Sequence, residues 1–104
     1  MTQPAVFAPA ARQDLRTAVD WIAQDNPAAA RALRTAVEKA ATRIGARPKV
    51  GAARPQLGSG RHRFLLLRGF PYLLVYAAGT TPPRILRVLH IARDLPPLLA
   101  DLGP

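Results

Sequence analysis

The chain has no cysteine, which excludes disulfide staples, thiolate catalysis and cysteine-ligated zinc. Its only histidines are His62 and His90, and its six acidic residues show no ligand spacing, so no metal and no cofactor is expected. Asp14, Asp20, Asp25 and Glu38 read as helix-surface and cap residues, which leaves no carboxylate pair for hydrolysis. No apolar stretch approaches the roughly 20 residues that span a bilayer. The N-terminus lacks a basic segment followed by an apolar run, so no secretory signal is expected. A glycine-rich phosphate loop is also missing, because Gly58-Ser59-Gly60 precedes a strand pattern instead of a helix. These absences point to a cytoplasmic domain without membrane contact.

What is present is apolar residues and arginine. Nearly half of the 104 residues are hydrophobic, enough for one core, so residues 1–104 read as a single domain with 96–104 as a C-terminal tail. The formal net charge is +9. Residues 1–50 hold eight Lys/Arg against four acids (+4), and residues 51–104 hold seven against two (+5). A field spread over the whole chain attracts an acidic or polyanionic partner. The alternative is that solvated faces of an arginine-rich chain happen to be basic.

Val6-Phe7-Ala8, between Pro4 and Pro9, reads as a brief edge strand. Pro9 suits the first turn of a helix, and Leu15, Val19 and Ile22 with Ala11 and Ala18 form one apolar stripe. Asn26-Pro27 is a stop and restart. A second helix from Pro27 to about Arg43 carries Leu33, Val37, Ala40 and Ile44 at helical spacing, giving an αα-hairpin. Trp21 is a packing residue on that hairpin or a partner anchor. The breaker-rich stretch from Gly45 to Gly60 either carries function or hides a short turn of helix.

From Arg61 the period becomes that of strands: Arg61 to Arg68, Tyr72 to Ala78 and Arg84 to Ile91, joined by short turns into an antiparallel meander. The expected fold is α+β in the order β-α-α-β-β-β, with the helical hairpin packed on one face of an antiparallel sheet. Pro96-Pro97 ends regular structure, and Leu98, Leu99 and Leu102 form either a docked helical turn or a frayed tail.

The block Arg84-Ile-Leu-Arg-Val-Leu-His-Ile-Ala-Arg-Asp94 is the most informative. Read with period 2, Leu86, Val88 and His90 share one face, and Ile85, Arg87, Leu89 and Ile91 the other. Each face carries one ionisable group that a plain core strand does not need. His90 is a general acid/base or a hydrogen-bonded structural histidine at a strand end. Arg61, Arg63, Arg68, Arg87 and Arg93, with Phe64, Tyr72 and Tyr76, either bind phosphates, bases or an acidic peptide, or are rim packing on a half-exposed sheet.

Ala10 to Asp25, Asn26-Pro27 with Ala29-Ala30, Pro48 and Gly51, Gly60-Arg61, Tyr72-Leu-Leu-Val-Tyr76 and Ile85-Leu-Arg-Val-Leu-His-x-Ala-Arg-Asp94 together resemble the RelE/ParE superfamily of bacterial toxins. They resemble its ParE branch, the plasmid-stabilisation toxins, most closely, over about residues 4–95. RelE-like members are ribosome-dependent mRNA nucleases. The positions where they need basic groups hold Phe64, Leu66 and Leu73 here, and no tyrosine follows Tyr76. Three lost cations remove most of the charge stabilisation that RNA cleavage requires, so no catalytic residue is assigned. ParE-like members are DNA gyrase poisons, which need a binding surface and no catalytic constellation. The resemblance therefore implies a gyrase-binding toxin of a type II toxin-antitoxin system, with Arg61, Arg63, Arg87, His90 and Arg93 as target contacts. It also implies a cognate antitoxin whose acidic C-terminal segment meets Trp21, Leu33, Val37 and Tyr76. Direct nucleic-acid binding without a partner is not expected. The other readings are a RelE-like ribonuclease using His90 and Arg61, and a non-toxic relative that only pairs with its partner.

Overall fold

The computed structural model describes residues 2–53, 61–94 and 96. The expectations for Gly58-Ser59-Gly60, and for Pro97, Leu98, Leu99 and Leu102, lie outside the described residues. The elements are β1 (Val6–Phe7), α1 (Pro9–Ala23), α2 (Pro27–Ala46), β2 (Ala52–Ala53), β3 (His62–Leu66), β4 (Tyr72–Ala77) and β5 (Arg84–His90). The strands form one sheet in the order β1-β5-β4-β3-β2.

Local chemistry places the helix boundaries. Ala8 is extended and Pro9 opens α1, where its missing N–H has no intrahelical acceptor to lose. The Asn26 side chain accepts the Ala29 N–H at 3.0 Å, and Pro27 starts α2, so the two-residue punctuation works as a cap and a restart. α2 runs to Ala46, three residues beyond the expected end at Arg43.

The helices cover one face of the sheet. Ala11, Leu15 and Ala18 of α1, and Leu33, Val37, Ala40, Ala41 and Ile44 of α2, pack with Leu67, Tyr72, Leu74, Tyr76, Ile85 and Val88. Leu33, Val37, Ile44, Leu74, Tyr76 and Ile85 are fully buried, and each aliphatic one contributes about 1.5–3 kcal/mol of transfer free energy. The chain before β1 is bound to the hairpin: the Ala5 N–H donates to the Ala41 carbonyl at 2.9 Å. Gly45 lies against Gln3 and Pro4, so a Cβ there would collide with their backbone atoms.

Three expectations need correction. The sheet is mixed, because β1 pairs parallel with β5; the chain must cross through both helices before β5 reaches β1. The expected element order lacks a strand: among its described residues the connection after α2 holds Ala52–Ala53, antiparallel to β3. Two alanines carry no strand signal of their own, so β3 supplies the template. Strict alternation also fails in β5. Val75 pairs with Arg87 while Tyr76 pairs with Ile85, so Leu86 is the extra residue of a β-bulge. The bulge shifts the phase and puts Ile85 and Val88 together in the helix-facing core.

Candidate functional site

Chemistry-bearing residues gather in three places. Around the second half of β5 lie Arg87, His90 and Arg93. β1 pairs with β5 only as far as Ile85, and the next outward-pointing donor, the Val88 N–H, is taken by Asp14 Oδ2 of α1 at 3.0 Å. Asp14 also forms a fork with Arg87, at 2.7 Å to Nε and 3.0 Å to Nη2. Hydrogen bonding to Asp14 is the main cause that raises the Arg87 pKa, against the opposing effect of burial. Asp14 was expected on a solvated helix face. It instead closes the edge of β5, and no spacing in the sequence signals that pairing.

His90 ends β5 beside Tyr72, ring edge to ring face, with centroids 5.2 Å apart. Its Nδ1 accepts the N–H groups of Ala92 at 3.2 Å and Arg93 at 3.1 Å. Its own backbone N–H donates to Asp94 Oδ2 at 2.8 Å. Arg93 Nε donates to Asp94 Oδ1 at 3.1 Å. Burial is the largest single influence on Asp94 and pushes its pKa up, but the Arg93 guanidinium, the His90 N–H and the nearby positive charge together hold it below the ordinary carboxylate value.

The second place is the β3 margin. Arg63 pairs with Tyr76 across the strands, and its Nη1 donates to the Gly51 carbonyl at 2.7 Å and the Lys49 carbonyl at 3.3 Å. The Tyr76 hydroxyl donates to the Pro48 carbonyl at 2.7 Å and accepts the Gly51 N–H at 2.8 Å. Arg63 and Tyr76 therefore fasten the turn between α2 and β2. Arg61 is exposed at the start of β3. β3 and β5 flank β4, about 10 Å apart, so the expected basic residues form two groups and not one.

The third place is the sheet face opposite the helices. Phe64 pairs with Val75, and Leu66 with Leu73; Leu73 in turn pairs with Leu89. Phe64, Val75 and Leu89 form a small second core with Leu73 against it, while Leu66 remains 58% exposed. An open groove of about 860 Å³ runs past Leu66, with Arg43 and Arg68 in its lining.

Of the residues expected to meet an antitoxin, only Trp21 offers surface, at 64% exposure. Leu33, Val37 and Tyr76 are 0% exposed and belong to the core between the layers, Leu33 and Val37 from α2 and Tyr76 from β4, which corrects their expected place on a partner-facing surface. No group of three or more metal-ligating side chains occurs among the described residues, and no helix among them is long and apolar enough to cross a membrane.

Two helices lie on one face of a five-stranded mixed sheet, with arginines held about its last strand, an α+β arrangement. The family model described as ParE toxin of type II toxin-antitoxin system, parDE, matches residues 5–95, and the chain belongs to that family. Among solved structures it is similar to one described as the chromosomal ParDE TA system from P. aeruginosa, with a TM-score of 0.73 and 19% identity, over 86% of this chain and 96% of that one. No curated protein matches.

Proposed function

We propose that this chain is the toxin of a type II toxin-antitoxin pair, that it inhibits DNA gyrase by binding, and that a cognate antitoxin neutralises it. Family membership supports the toxin class. The observation that favours inhibition by binding over RNA cleavage is the chemistry of the outer sheet face. The three positions that the resemblance assigns to nuclease cations are Phe64, Leu66 and Leu73, and they lie on one apolar face, paired strand to strand. An apolar surface cannot neutralise the charge that builds up in phosphodiester cleavage, but it can anchor a partner. His90 points the same way. Its Nδ1 is engaged by two backbone N–H groups, so that nitrogen is not available as a base.

Arg61, Arg87 and Arg93 are the target contacts on this reading, and Arg63 acts through the turn it fastens. The antitoxin supplies an acidic C-terminal segment, steered by the +9 charge and anchored on Trp21. Purified chain added to gyrase and supercoiled DNA should accumulate the cleaved complex, and the acidic protein encoded beside it should abolish that effect. Ribosome-dependent mRNA cleavage with gyrase untouched would overturn the proposal.

A further inference from the structure

Arg93 and His90 sit three residues apart and look like two cationic contacts of one kind, but their hydrogen bonds separate them. The His90 side chain accepts the N–H groups of the residues two and three further on. The Asp94 carboxylate reaches back to the His90 N–H, and the Asp94 N–H donates to the His90 carbonyl at 2.8 Å. This is the reciprocal pattern of a helix capping box, with an imidazole as the capping acceptor and the returning carboxylate one residue later than usual. Arg93, whose side chain is 53% exposed, is held by the same carboxylate.

We infer that His90 is a positioning residue: its Nδ1 caps the turn at 91–94 and thereby presents Arg93 to the partner, without touching the partner itself. The identity of that partner rests on the proposed function, whereas the cap does not. The geometry fixes the tautomer, because a nitrogen that accepts two N–H groups carries no hydrogen, and the ring hydrogen is on Nε2. The ring packs against Tyr72 of β4.

The test compares the full chain with His90→Asn, His90→Ala and Arg93→Ala. Asn carries a side-chain oxygen suited to capping, and Ala carries no acceptor. His90→Ala should speed amide exchange at Ala92 and Arg93 by about tenfold with β4 amides unchanged, and His90→Asn should restore protection. In the gyrase cleavage assay Arg93→Ala and His90→Ala should weaken trapping alike, and His90→Asn should recover it. An Asn variant as weak as the Ala variant would make the imidazole itself a contact and overturn the inference. Unaltered exchange at Ala92 and Arg93 in His90→Ala would do so independently. If the unsubstituted chain traps no gyrase, the proposed function fails, and the exchange result alone decides the cap.

Discussion

Tyr76 shows how one side chain can be both core and fastener. Its ring is wholly buried and its hydroxyl satisfies the Pro48 carbonyl and the Gly51 N–H. Gly51 is the residue that permits this approach: a Cβ there would lie 2.7 Å from Tyr76 Cε1 and 2.8 Å from its hydroxyl oxygen. Tyr76→Phe keeps the packing but strands a buried donor and acceptor, so it should cost about 1–3 kcal/mol, read as a lower urea midpoint with an unchanged slope. Asp94 makes a pH prediction. Its pKa is lowered in the folded chain, so its contribution to stability is present above the ordinary carboxylate value of about 3.9. That contribution is lost as pH falls through the folded value. The Tm of the unsubstituted chain should therefore drop more between neutral and acid pH than that of Asp94→Asn.

At the scale of elements, β5 depends on a helix for what β1 is too short to supply. Asp14 of α1 takes the Val88 N–H and holds Arg87, so Asp14→Ala removes an acceptor from the strand and a partner from the guanidinium. A loss of about 1–3 kcal/mol is expected, with faster amide exchange at Val88 and little change in β3, which a hydrogen-exchange measurement would resolve. How far the sequence reveals these elements depends on whether the signal is local. The hairpin is legible because Asn26-Pro27 and the 3–4 residue spacing of Leu15, Val19, Leu33 and Val37 are local cues. β4 is legible because Tyr72, Val75 and Tyr76, with Leu73 and Leu74 between them, form an apolar, aromatic-rich run bounded by turns. β2 is not legible, since Ala52 and Ala53 pair only because β3 offers an edge. The bulge at Leu86 and the parallel pairing of β1 come from tertiary packing, and they misplace Ile85 when alternation is extended through them. The candidate site divides in the same way: His90 and Asp94 are near enough in sequence to be noticed together, whereas Asp14 and Arg87 are 73 residues apart.

For the whole molecule, charge and exposed apolar surface decide what can bind. The +9 chain repels cationic partners and attracts acidic ones over about a Debye length, so charge governs the rate of encounter and apolar anchors the lifetime. Among the described residues Trp21 is the largest exposed hydrophobic side chain. Trp21→Ala should leave stability within about 0.5 kcal/mol while shortening the lifetime of the antitoxin complex by tenfold or more, measurable by surface plasmon resonance. Leu66, Leu73 and Phe64 on the opposite face raise the larger question of whether the chain inhibits by occupying its target or by cutting RNA. The most direct measurement incubates the purified chain with gyrase, ATP and supercoiled DNA, and in parallel with translating ribosomes and mRNA. The account predicts accumulation of protein-linked, cleaved DNA with intact mRNA, and cleaved mRNA beside unaffected gyrase would contradict it.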